Sequence, residues 1–280
     1  SSSPSQRRAA CTSAKCAAGP GRNSRATSSR ARGDERVSGF FLCWHRDGGS
    51  LDEQTIGRGA ARLEYRGPEG TIRAAVPGAV ALHTHLTDAI GAEEDLPIAR
   101  EGLLLAGDLR LDDRDRLRAA LGVPPGIPPG ADFGITRSDA ALFVLGYRVW
   151  GPGVAARLTG DFACALVDTS RELLFLARAA FGVKHLFVAE TPRFVAASND
   201  LDALLLLPGV DGAPDERALA EFLRSGTIID PTRTARRGVR RVPPAMQWVY
   251  GRSGPARAER HWDFPVPEPL RFAREEEYAE

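Results

Sequence analysis

The sequence predicts an α+β fold built on antiparallel β-structure, on three observations. Between residues 161 and 198 four short apolar runs follow one another: DFACALVD (Asp161–Asp168), LLFLA from Leu173, HLFVA from His185 and RFVAAS (Arg193–Ser198). The links between them are too short for a helix, so these strands pair antiparallel, and the rest of the chain is expected to attach to that one sheet. Further aromatic and β-branched runs lie upstream, and segments of helical periodicity flank them.

Taken in order, residues 1–36 are Ser, Arg, Ala and Gly with almost no large apolar side chain, a composition that cannot offset its ordering entropy and predicts a disordered basic tail. The sole methionine is Met246, and folded-looking sequence begins abruptly at Val37, so Val37 is expected to mark the native start, with 1–36 translated from upstream. The folded domain is expected over 37–265. VSGFFLCW reads as a buried strand, followed by a turn at Asp47-Gly48-Gly49. Arg62–Tyr65, Ala79–His85 and Gly102–Ala106 read as further strands. A helix from Asp113 to Leu121, capped by Asp112, precedes a Pro/Gly loop. Ser138 caps a stronger helix to Trp150 that carries Leu142, Leu145, Val149 and Trp150 on one stripe.

Past the central strands, Asp200–Leu207 reads as a short helix. Pro214–Arg224 reads as a longer one with Leu219, Phe222 and Leu223 inward. An Arg-rich loop, ARRGVRRVPP, leads to a strand Met246–Tyr250, and REEEYAE at the end looks like the acidic first turn of a helix. Gly182, in the link after LLFLA, is expected to take a positive φ.

The 280 residues are 43 % hydrophobic, enough to bury a core, with a formal net charge of +1 that argues against a dedicated nucleic-acid binder. Seven Arg and Lys15 stand against Asp34 and Glu35 in 1–36, about +6, which leaves the remainder near −5. No apolar run reaches the length of a membrane span. Cys11, Cys16, Cys43 and Cys164 show no metal-ligand spacing, so neither zinc nor disulfides are expected and the setting is read as reducing and cytoplasmic. His45, His185 and His261 read as structural or solvated. Arg236, Arg237, Arg240 and Arg241 read as a solvated loop, with an acidic partner or a nucleotide phosphate as the alternative, and Phe181, Gly182 and Lys184 as a packed turn.

Four ordered stretches then resemble one family. LFLARAAFGVKHLF is similar to L-F-L-A-R-D-R-F-G-I-K-P-L-Y, SDAALFVLGYRVWG to S-D-T-E-V-L-L-x-x-Y-x-x-W-G, RLTGDFACALVD to R-L-N-G-M-F-A-F-A-I-W-D, and RRGVRRVPPA to a loop ending R-V-P-P-G. These are motifs of the N-terminal domain of asparagine synthetase-like proteins, a class II glutamine amidotransferase. The resemblance covers roughly 37–265 and implies an αββα sandwich of two antiparallel sheets, the N-terminal nucleophile hydrolase architecture.

The resemblance also implies a site, and this chain departs from it. The family's nucleophile is the Cys of M-C-G-I, whose free α-amine acts as base; here the stretch is Val37-Ser38-Gly39-Phe40. Ser38 is a poorer nucleophile, and with 1–36 attached it lacks a free amine. Cys43 cannot replace it, because an odd step along a strand puts it on the opposite face. The oxyanion motif N-G-E-I-Y-N aligns with Asp108, Leu109, Arg110, Leu111, Asp112 and Asp113, so a carboxylate stands where a donor is needed. Arg110 reverses the charge of the Glu that would hold the substrate amine, and His85 replaces the Arg for its carboxylate. Asp139 alone is unchanged, as relic site residue or plain helix start.

These departures predict an inactive glutaminase site. The phosphate-cradling S-G-G-x-D-S loop of the family's ATP-pyrophosphatase domain does not occur, so residues 266–280 are expected to be a linker and the start of a missing synthetase domain, the only place where ATP and Mg are expected. No cofactor is expected in this chain. Ser-Gly-Phe and DLRLDDRDRLR look more like lasso-peptide cyclases and β-lactam synthetases than like glutamine-using synthetases. Two readings stand: part of an ATP-dependent amide-forming enzyme, or a non-catalytic scaffold docking a precursor peptide or partner subunit, with an active glutaminase as a third. Glutamine is the partner if the site is active, and a homodimer is compatible with either; neither nucleic acid nor membrane is expected.

Overall fold

A computed structural model describes residues 38–85, 96–123 and 138–266, all within one unit, Arg36–Glu280. The basic tail, most of the Pro/Gly loop and the acidic terminal turn lie outside the described residues. Two six-stranded antiparallel sheets face each other. The first contains β1 (Gly39–His45), β2 (Thr71–Val76), β3 (Ala79–Thr84), β8 (Phe187–Glu190), β9 (Phe194–Ser198) and β10 (Val239–Arg241), in the order β10-β8-β9-β1-β3-β2. The second contains β4 (Ile98–Arg100), β5 (Leu103–Leu111), β6 (Gly160–Asp168), β7 (Leu173–Arg178), β11 (Met246–Gly251) and β12 (Arg257–Arg260), in the order β12-β11-β7-β6-β5-β4.

The four central runs are therefore antiparallel strands, as their spacing requires, but they do not form one sheet. β6 pairs with β7 and β8 with β9, in different sheets, and the loop from Ala179 to Leu186 carries the chain across. Alternation explains how both sheets bury two faces. Phe40, Leu42 and Trp44 of β1 meet Leu104, Ala106, Ala163, Ala165 and Trp248 between the sheets, where alanines allow close approach. On the outer face of the first sheet Phe41, Cys43 and Leu82 pack under helices α1 (Glu53–Leu63) and α4 (Leu201–Leu205). On the outer face of the second, Leu105, Phe162 and Phe175 pack under α3 (Asp139–Trp150) and a following 3-10 helix, Gly151–Arg157. The result is helix, sheet, sheet, helix, the αββα sandwich that the resemblance implied.

Several local expectations need correction. Arg62–Tyr65 is not a strand: α1 runs through Leu63, started by Asp52, whose carboxylate accepts from Thr55 N at 2.8 Å. With only Ile56 and Leu63 as large buried positions, its helical period is hard to read. Helix α2 (Arg114–Ala120) is not capped by Asp112; its first flanking residue is Asp113, at φ +53°, and no side chain caps it. Ser138 does cap α3, accepting from Ala141 N at 3.1 Å, but the buried face is Leu142, Phe143, Gly146 and Tyr147, and Val149 is 55 % exposed. Helix α5 (Glu216–Ser225) is turned the other way: Ala218 is buried, while Leu219, Phe222 and Leu223 face outward. Among the described residues no helix is long and apolar enough to cross a membrane, and no group of three His, Cys, Asp or Glu could hold a metal.

Candidate functional site

The first candidate position lies at the end of the sandwich where β1 begins. Ser38 precedes β1, and Asn199, just after β9, holds it from both sides: its Nδ2 donates to Ser38 O at 2.8 Å and its Oδ1 accepts from Phe40 N at 2.9 Å. Gly39 N donates to Thr84 Oγ1 at 2.9 Å, and a Cβ on Gly39 would stand 2.7 Å from that oxygen and 3.2 Å from Arg66. Glycine is required there by close approach. Alternation from Phe40 and Leu42 sends Ser38 toward the space between the sheets, whereas Cys43 packs with Phe41 on the outer face. Burial pushes the Cys43 thiol far up, so it is no substitute nucleophile.

The other site positions arrive on two strands. On β3, Phe40 pairs with His83, and His85 follows two residues on, the two imidazoles edge-on at 5.1 Å. On β5, Leu104 and Ala106 face the inter-sheet core and Leu105 and Leu109 the helix layer, so Asp108 and Arg110 share the inter-sheet face. Leu109 is a core residue. Asp108, 7 % exposed, pairs with Lys184, Nζ to Oδ1 3.2 Å. Arg110 is bound by Asp161, its cross-strand partner, at 2.7 Å, and by Asp112 at 3.7 Å. Asp139 accepts from Leu111 N at 3.0 Å and pairs with Arg114 at 2.7 Å, which ties α3 to the end of β5. Its carboxylate already has partners suited to a helix start.

Arg178 explains why LFLAR…FGVK stands out. The guanidinium is 4 % exposed and donates to three backbone carbonyls, Lys184 O at 2.7 Å, Val242 O at 2.9 Å and Gly182 O. It thereby folds the loop that crosses between the sheets and delivers Lys184 to Asp108. Gly182 sits at φ +62°, and a Cβ on it would meet Arg178 at 3.1 Å and Pro244 at 2.7 Å. Burial, then the nearby Arg241, lowers the Arg178 pKa to about 10, which leaves it charged at neutral pH. The turn is not uniformly packed, as Phe181 is 68 % exposed. His261 is structural, its Nε2 2.8 Å from Arg178 O and its ring stacked on Phe162.

Asn199, Thr84 and the Lys184–Asp108 pairing had no sequence signal beyond a polar Ser-Asn-Asp after a strand. A cavity of about 660 Å³ lies elsewhere, between α2, the 3-10 helix and Phe181, His261 and Trp262. Neither Ser38 nor Asp108 lines it.

Two facing antiparallel sheets between helix layers make up the fold seen in amidotransferases of the N-terminal nucleophile hydrolase type. Glutamine phosphoribosylpyrophosphate amidotransferase from B. subtilis, solved with ADP and GMP, shares the fold, with a TM-score of 0.51 over 80 % of this chain and 49 % of that one at 18 % identity. Residues 130–262 match the family model described as a glutamine amidotransferase domain. A Mycobacterium bovis protein named "Putative asparagine synthetase (glutamine-hydrolyzing)" is 40 % identical over 110 residues, 38 % of this chain and 17 % of its own length. Asparagine synthetase (glutamine-hydrolyzing) 3 of Bacillus subtilis is 27 % identical over 117 residues, 42 % of this chain and 19 % of its own length. Residues 130–262 are thus similar to a glutamine amidotransferase domain of the asparagine synthetase kind, and the match spans about a fifth of the length of these curated relatives.

Proposed function

We propose that this domain is the N-terminal part of an ATP-dependent, amide-forming enzyme of the asparagine synthetase kind, in which the Ser38 site no longer hydrolyses glutamine. The observation that carries the reading is the Asp108–Lys184 ion pair at 3.2 Å. Amide hydrolysis develops negative charge on the carbonyl oxygen and needs donors aimed at it; losing one donor costs roughly 10²–10³ in rate. A buried carboxylate at that position repels the charge, and the Lys184 ammonium that could oppose it is neutralised by Asp108. Ser38 compounds the loss, since a hydroxyl without a strong base attacks slowly at neutral pH.

The remaining positions support the same reading. Arg110, aligned with the Glu that would hold the substrate amine, is bound to Asp161, and the unchanged Asp139 is bound to Arg114. His85 offers no permanent charge for a carboxylate. Glutamine is the substrate that the family's description implies; of the positions that would recognise it, Asp139 alone is retained in this reading. An enzyme whose acceptor brings its own amine has no need of released ammonia, which fits the lasso-peptide cyclase and β-lactam synthetase branch. ATP and Mg belong, in this reading, to a synthetase domain and not to the residues described. The test is ammonia release from millimolar glutamine. No release above a Ser38→Ala control is expected, and Ser38-dependent release sinks the proposal.

A further inference from the structure

Beside the Ser38 site, the first sheet ends in a group of cations. Arg241 closes β10 opposite Phe187 of β8, its guanidinium 6.0 Å from the Phe187 ring centroid. His185 stacks on the same ring at 5.8 Å and 23°, and its Nδ1 lies 3.5 Å from Arg178 Nη2. Among the described residues neither Arg178 nor Arg241 has a carboxylate partner, and Arg241 Nε is buried without any hydrogen-bond partner. Arg66 stands near, partly neutralised by Asp200 at 3.6 Å, a carboxylate also shared with Arg62 at 3.4 Å. Nearly every other described arginine of this region, Arg240 with Glu190 for example, is paired.

Two guanidinium groups held together without a counter-charge repel one another, and a folded protein keeps such a pair at a cost unless an anion joins them. Their effect reaches the neighbouring imidazole: burial, then Arg178, Arg241 and Arg66, all lower the His185 pKa. We propose that Arg241 and His185 form a binding site for a phosphate group, with Arg178 adding charge from behind. Arg178 offers only donors, so the His185 nitrogen facing it is the unprotonated one and Nε2–H points to the ligand. Arg241, over the same Phe187 ring as His185, carries a planar guanidinium fork of the kind suited to phosphate oxygens. Two uncompensated positive charges match a phosphate dianion, as on a phosphate ester or nucleotide, better than a carboxylate.

The experiment follows the His185 ring by NMR pH titration in the full chain, with inorganic phosphate, ATP or acetate at matched ionic strength. Phosphate and ATP are expected to shift the His185 titration upward, acetate not; tighter binding of ATP would identify a nucleotide, equal binding the phosphate group itself. Arg241→Gln is expected to weaken phosphate binding roughly tenfold, the loss of one charge-assisted contact. Should that variant fail to fold, His185→Gln read by calorimetry is expected to weaken binding in the same sense. An equal shift with acetate, or undiminished phosphate binding by whichever variant folds, overturns the proposal.

Discussion

Lys184 Nζ lies 3.2 Å from Asp108 Oδ1, and this pair joins the loop that crosses between the sheets to the strand that carries the site. Both side chains are largely removed from water, 24 % and 9 % exposed, so removing the ammonium takes its opposing charge from a buried carboxylate. Lys184→Ala is expected to destabilise the fold by about 3 kcal/mol in urea unfolding, and a change below ~0.5 kcal/mol would show the pair to be incidental.

The same pair makes a catalytic prediction. Ser38→Cys alone is expected to leave glutamine hydrolysis near background, because the carboxylate remains. Ser38→Cys with Asp108→Asn is expected to raise ammonia release about 10²-fold over the single variant, by exchanging a repelling oxygen for a donor. Equal rates in the two variants would remove Asp108 from the account.

Arg178→Met leaves three carbonyls without their donor in the turn that delivers Lys184. A loss of about 3–4 kcal/mol is expected, with Arg178→Lys recovering only part, because an ammonium cannot reach all three oxygens at once. Full recovery by lysine would mean that charge alone matters.

Asn199→Ala releases Ser38 O and Phe40 N together. A loss of about 2 kcal/mol is expected, accompanied by faster amide exchange at Phe40. Protection at Phe40 unchanged from the parent would mean that the strand holds itself.

At alkaline pH Tyr147 contributes to the slope, beside the buried Tyr250, Cys43 and Cys164, whose pKa values burial also raises. Its pKa is pushed up to about 12, by burial first and then by the charge of Asp168, to which its hydroxyl donates at 3.2 Å. The unfolded chain loses this proton near pH 10, so between there and about pH 12 the native state binds more protons and stability falls as pH rises. Tyr147→Phe is expected to flatten that fall in denaturation series. An unchanged slope would place the titration elsewhere.

Much of the architecture was legible in residue order. Short apolar runs with no space for helices force antiparallel pairing, and the Ser138 cap fixes the start of α3. That these runs divide between two sheets was not legible locally, because both hairpins have the same alternation. The loop that crosses between the sheets is held by Arg178, whose carbonyl partners include one 64 residues away. Helix α1 escaped notice because Ile56 and Leu63 alone are too sparse to show a helical period. In α5 the apolar positions are periodic but face outward, so periodicity identified the helix and misassigned its buried side. Ser38, Asp108, Arg110 and His85 were legible only as departures from a motif, while the Asn199 clamp and the Lys184 contact depend on distant elements meeting.

The central claim is that this amidotransferase-like site does not turn over glutamine. Its most direct test is the glutamate formed from isotopically labelled glutamine, followed over hours for the unmodified chain beside Ser38→Ala. Two indistinguishable flat traces are expected. Glutamate accumulating only while Ser38 is present would contradict that claim.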